Sequence, residues 1–198
     1  MKLSKGWIIL IVIVGLILLL IAWVTGINNN LVTKEEGINK PWADVESQYQ
    51  RRLDLIPNLV NTVKGVANFE QQTLTAVIEA RARATSVQIN PKNLDEASLQ
   101  KFQEAQNGVS SALGRLMVVV EKYPELKATQ NFSELQAQLE STENRIQVAR
   151  MKFNEAVQDY NTYLRRFPNS IFAGMLGFQQ KAYFQSQAGA EKAPEVQF

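Results

Sequence analysis

The sequence predicts an all-α protein: an N-terminal transmembrane helix, then a long antiparallel four-helix bundle, then a short apolar C-terminal helical segment. Three observations predict it. Residues 7–24, WIILIVIVGLILLLIAWV, run eighteen positions without a charge. Beyond them apolar residues recur at steps of three and four, the mark of one buried stripe per helix. No strand-like alternation and no glycine-rich loop interrupts that pattern. The chain divides accordingly into an anchor with its flank (1–25), the bundle (26–166), and an apolar segment with a polar tail (167–198).

The anchor comes first. As a helix it spans roughly 27 Å, close to the ~30 Å hydrocarbon core of a bilayer. Trp7 and Trp23 stand about 24 Å apart along it, where aromatic rings favour the lipid–water interface. The lipid bilayer is therefore the first partner. A cleaved signal peptide has a shorter apolar core, of about 7–15 residues, and a small-x-small cleavage site. Here Thr25-Gly26 follow the bulky pair Trp23-Val24, and no cysteine exists for a lipoprotein signal. Lys2, Lys5 and the amino terminus precede the run, whereas the first cations after it are Lys34 and Lys40. That asymmetry puts the amino terminus in the cytoplasm and the bundle outside.

Helical signals then follow in order. Ile38, Trp42, Val45, Tyr49, Leu53, Ile56, Val60, Val63 and Ala67 form the first stripe, extending back through Leu31 and Ile27 to Val24. It keeps its phase across Pro57, which reads as a kinked helix over about 27–64. Gly65 and Asn68 mark a reversal, and Asn68 with Gln71 resembles a capping box opening a helix over 69–87. That helix carries Leu74, Val77, Ile78, Ala82 and Ala84, and Asn90-Pro91 ends it. Asn93 with Glu96 opens the next, over 94–122, with Leu99, Phe102, Val109, Leu113, Leu116, Met117 and Val120 before Tyr123-Pro124. Asn131 with Glu134 opens the last, over 132–166, whose stripe runs from Phe132 through Leu139, Thr142, Ile146, Phe153 and Tyr160 to Leu164. Short connections between amphipathic helices argue for antiparallel neighbours.

Composition excludes several function classes. The chain carries 21 Lys+Arg and 19 Asp+Glu; setting aside Lys2 and Lys5 leaves 19 against 19. A charge-balanced bundle offers no basic face for nucleic acid. With neither His nor Cys, imidazole relays, Ser-His-Asp triads, zinc sites and thiol nucleophiles are all excluded. No phosphate-binding loop or dinucleotide fingerprint appears. Asp95-Glu96 fits a helix's opening turn, and Glu140 with Glu143 fits a solvated face. No catalytic residue, cofactor or metal ligand is expected.

Two groups of residues stand out. The segment FPNSIFAGMLGFQQKAYF places Phe167, Ile171, Phe172, Met175, Leu176, Phe178, Tyr183 and Phe184 in eighteen positions, after a bundle that already has its four stripes. It reads as a lid over the bundle, a seam between subunits, or a segment lying in the membrane interface. Arg165-Arg166 before it suit either anionic head groups or a helix C-terminus. The second group is Glu143, Arg150, Asn154, Tyr160 and Asn161, at or beside the last apolar seam. These read as inter-helix hydrogen bonds that fix register, or as a polar pocket for a small ligand or peptide.

The stretches WADVESQYQRRLDLIPNLVNTVK (42–64) and ARMKFNEAVQDYNTYLRRFPNSIFAGMLGF (149–178) resemble the LemA family. Arg51 to Val60, Arg150, Asn154, Tyr160-Asn161, Pro168 and Gly177-Phe178 fall on that family's recurring positions. Phe153 departs from it, where a Tyr-Asn pair is usual. With the anchor included, the resemblance covers nearly the whole chain. It implies a bacterial inner-membrane protein with a four-helix soluble domain, no established enzymatic activity, and loose association with envelope functions and membrane proteases.

These readings converge on a non-enzymatic membrane-anchored scaffold or assembly protein of the bacterial envelope, a homo-oligomer acting through protein partners. The alternatives are a sensory module binding a small ligand between helices, and a regulatory subunit of a membrane protease.

Overall fold

Residues 7–24 continue without a break into the first stripe, because nothing between them forces a turn. The computed structural model, which describes residues 5–65, 69–91 and 94–185, shows one 60-residue helix, α1 (Lys5–Lys64). It is followed by α2 (Gln71–Ser86), α3 (Glu96–Val120), a four-residue α4 (Pro124–Lys127), α5 (Gln130–Arg165) and α6 (Asn169–Met175). Among the described residues there is no strand. The flanking Lys2, the stripe residue Ala67, the capping candidates Asn68 and Asn93, and the polar tail 186–198 lie outside the described residues.

The chain forms two compact units. One holds the chain up to Lys40 with Glu155–Gln180; the other holds Pro41–Asn154 and the chain from Lys181 onward. In the second unit α1, α2, α3 and α5 share a core that includes Leu53, Ile56, Val63, Leu74, Val77, Val109, Leu116, Phe132 and Leu139. Helix directions follow from side-chain levels. Trp42 meets Phe102 and Phe153, while ten residues further along α1 Arg52 meets Gln106, Ser110 and Glu143. Moving up α1 therefore moves up α3 and down α5. Arg81 reaches Leu53, so α2 runs back down from the end of α1. The bundle is antiparallel, up-down-up-down.

Pro57 illustrates how the helix survives its own breaker. A proline denies a hydrogen bond to the carbonyl four residues earlier, here Leu53. That carbonyl accepts from Arg81 Nε at 2.9 Å instead. The orphan acceptor is satisfied by α2, and α1 stays continuous through Pro57.

Several helix starts differ from the sequence reading. Asp95 caps α3: its carboxylate accepts from Ser98 N at 2.7 Å, and this bond holds the carboxyl below the usual carboxylate range. Thr129, not Asn131, serves α5, its hydroxyl accepting from Phe132 N at 3.4 Å. The stripe of α2 is also rephased. Thr73, Leu74, Val77, Ala80 and Ala84 are buried, whereas Ile78 and Ala82 face solvent. An alanine-rich helix signals its inner face weakly, since alanine is at home on either side. The unforeseen α4 starts at Pro124, where proline's missing N–H costs nothing, and buries Leu126 in the core.

In the first unit the stripe of α1 buries Ile27, Leu31 and Ile38, and α5 contributes Val157, Tyr160 and Leu164. Lys34 Nζ pairs with Asp159 at 2.6 Å and lies 5.5 Å from the Tyr163 ring centre.

Candidate functional site

Among the described residues of the second unit, Arg52 joins three helices through four hydrogen bonds. Only 3% of its surface is exposed. Nη2 donates to the Gln106 backbone oxygen at 3.0 Å and to Gln106 Oε1 at 2.7 Å. Nη1 donates to Ser110 Oγ at 2.9 Å and to Glu143 Oε2 at 3.0 Å. The guanidinium also faces the Tyr49 ring at 5.0 Å, where the ring's negative face favours a cation. One side chain of α1 thereby ties α3 to α5. Burial pushes the Tyr49 hydroxyl up from its ordinary pKa, against the pull of Arg150 and Arg52.

Beside this hub lies an open cleft of about 440 Å³, bounded by Glu46, Tyr49 and Gln50 of α1, the end of α2 with Ile89, and Phe102 and Gln106 of α3. The last turn of α2, which ends at Ser86, and the segment after it form one wall.

The chain's return segment occupies the same end of the unit. Leu94 O accepts from Ala182 N at 3.1 Å. Asn154 grips Phe184 at both backbone groups: Nδ2 donates to Phe184 O at 3.0 Å, and Oδ1 accepts from Phe184 N at 2.9 Å. Arg150 Nη2 and Gln103 Nε2 both donate to Gln185 O, at 2.7 and 2.6 Å. These bonds drive the Phe184 ring among Trp42, Phe102 and Phe153, with centroids 5.3–6.4 Å away. Replacing Asn154 with leucine removes two hydrogen bonds of roughly 1 kcal/mol each. The Phe184 amide is expected to exchange with solvent deuterium about 30-fold faster, the factor that ~2 kcal/mol of lost protection implies.

In the first unit Tyr160, fully buried, donates to Gln179 O at 2.8 Å. Burial, and secondarily Glu35, push its hydroxyl pKa well up. Trp23 meets the edge of Phe172 at 5.7 Å, and Asn169 Nδ2 donates to Tyr163 O at 3.0 Å.

The sequence-predicted residues are thus distributed as follows. Trp7 and Trp23 remain 62% and 51% exposed. Of the eight apolar tail residues, Phe167, Ile171, Met175, Leu176 and Tyr183 are exposed, and Phe172 and Phe178 are half-buried. Phe184 is 5% exposed and spent inside the chain, so it offers no surface to lipid or to a second copy. Glu143 accepts from Arg52 of α1 at 3.0 Å while its side chain stays 45% exposed. Arg150, Asn154 and Tyr160 instead bind the returning backbone, and Asn161 is buried. Gln106 escaped sequence reasoning, and Arg52 entered it only within the family-like stretch Arg51 to Val60, because a buried arginine beside an exposed one (Arg51-Arg52) carries no distinguishing pattern. Among the described residues no cluster of acidic groups is placed to hold a metal.

A family model described as the LemA family matches residues 41–198. Magnetosome protein MamQ 2 of Paramagnetospirillum magneticum is 25% identical over 182 residues, covering 82% of this chain and 66% of that protein. Magnetosome protein MamQ of Magnetospirillum gryphiswaldense is 24% identical, covering 88% of this chain and 72% of the relative. Protein LemA of Metamycoplasma hominis is 21% identical, with 81% and 70% covered. The chain spans about two thirds of the length of the curated relatives it matches.

Proposed function

The chain belongs to the LemA family, and from that premise we propose that it is a non-enzymatic, membrane-anchored scaffold or assembly protein of the bacterial envelope. One observation carries this reading. The segment apolar enough to cross a membrane is wholly unburied within the protein, yet it is the same helix whose later turns are the bundle's core. A helix that starts in the apolar run and ends in the bundle tethers the bundle to lipid, which suits a protein that holds partners at a membrane. The charge balance beyond the anchor and the absence of His and Cys support contacts over chemistry. Self-association and a membrane-protein partner, such as a protease, supply the contacts. The basic flank favours an inner-membrane protein with its amino terminus in the cytoplasm and its bundle outside. Cross-linking and mass measurement of the full chain in mild detergent test this. Discrete multimers or a stoichiometric companion are expected, and a strictly monomeric, companionless particle overturns it.

The cleft favours a second reading, a small-ligand module, since its volume falls in the ~300–1,000 Å³ range of ligand pockets. Native mass spectrometry showing a bound metabolite favours it over the scaffold.

A further inference from the structure

We propose that α6 is a second membrane contact, its apolar outer face lying in the interfacial layer of the bilayer that α1 crosses. The inference rests on the reading that residues 7–24 span the membrane. Within the first unit α5 ends at Arg165, and α6 begins at Asn169. Phe172 and Ala173 turn inward, with Phe172 meeting Trp23 edge-on at 5.7 Å and Ala173 buried. Trp23 is the last aromatic of the apolar run, at the depth where a tryptophan marks the lipid–water boundary. A helix touching Trp23 is therefore at that boundary too.

The other side of α6 fits no aqueous role. Phe167 is 82% exposed, Met175 80%, Ile171 54% and Leu176 41%. Ile171 and Met175, four apart, share one face. Gly177, at φ +82, then reverses the chain, a conformation that favours glycine. By Gln179 the backbone is already beside Tyr160 of α5. Residues 171–176 are thus the tip of a loop that descends to the level of Trp23 and returns. Exposed Arg165 and Arg166 stand just before the tip, where cations meet anionic head groups. An apolar tip with a basic shoulder, in contact with a membrane-crossing helix, is the pattern of an interfacial segment.

The chain has no cysteine, so single cysteines can be introduced and spin-labelled cleanly. Met175→Cys, Ile171→Cys, Leu16→Cys and Val118→Cys substitute exposed side chains, so none opens a core cavity. The full protein is reconstituted in vesicles of zwitterionic and anionic phospholipid, and each label's accessibility to oxygen and to a water-soluble nickel chelate is measured. Labels at 171 and 175 are expected to lose chelate accessibility relative to 118 and to lie shallower than 16. If they match 118 while 16 is deep, α6 stands in water and the inference fails with the anchor intact. If 16 is also water-accessible, the anchor reading fails and takes the inference with it. Shielding at 175 accompanied by spin–spin broadening, which disappears on dilution with unlabelled protein, assigns the face to a second copy and overturns the lipid contact.

Discussion

Replacing Arg52 with alanine is expected to destabilise the bundle by about 2–4 kcal/mol, the cost of losing charge-assisted hydrogen bonds and leaving a buried acceptor unpaired. The side chain is 3% exposed and its four bonds end on α3 and α5. Removing it strands the Gln106 amide oxygen, whereas the Gln106 carbonyl keeps Ser110 Oγ at 3.4 Å; a buried unsatisfied acceptor costs about 1–3 kcal/mol. The ion pair itself is the smaller part. Glu143's side chain is 45% exposed, so water screens its attraction to Arg52, and Glu143→Gln is expected to cost less than about 1 kcal/mol. Arg52→Lys keeps the charge but lacks the planar fork that serves Gln106, Ser110 and Glu143 together, and should fall between the two. Chemical unfolding of the full chain in mild detergent measures all three. If Glu143→Gln proves as damaging as Arg52→Ala, the hub is held by charge and not by its hydrogen bonds to α3.

What could be read in advance depended on whether a feature has a period. The stripe of α1 was legible because every step from Ile27 to Val63 is a three or a four, or a sum of them. The same helix passes Pro57 for a reason the pattern does not contain, namely Arg81 arriving from another helix to take the Leu53 carbonyl. The off-seam positions of Arg150 and Asn154 were likewise visible, but their partners are the backbone of residues 184 and 185. A backbone acceptor exists at every residue and so leaves no trace in composition or spacing. Helix starts failed for a related reason. Asn and Thr are both favoured caps, and Asn131 stands two residues from Thr129, the one that serves α5. Tail burial was the hardest: Phe167 and Phe184 are the same residue type in one segment, one 82% and the other 5% exposed.

Trp42→Ala tests how the returning segment is held. Trp42 is fully buried, with Phe102 and Phe153 each 5.5 Å away and Phe184 stacked on it at 6.2 Å and 13°. Truncating so large a core residue typically costs about 3–5 kcal/mol, part of it lost transfer energy and part the cavity left behind. Here the loss has a second component, because Phe184 gives up the floor it stacks on. Protection of the Phe184 amide is therefore expected to fall together with global stability. Phe184→Ala should be milder, since a segment that belongs to no helix can shift and leave a site that neighbours refill. Trp23→Ala is the control on the same helix: 51% exposed, it contributes little to unfolding in detergent. If Trp42→Ala lowers stability yet leaves the Phe184 amide as protected as before, relative to global opening, the segment is fastened by Asn154 and Arg150, and the aromatic cluster is ordinary core.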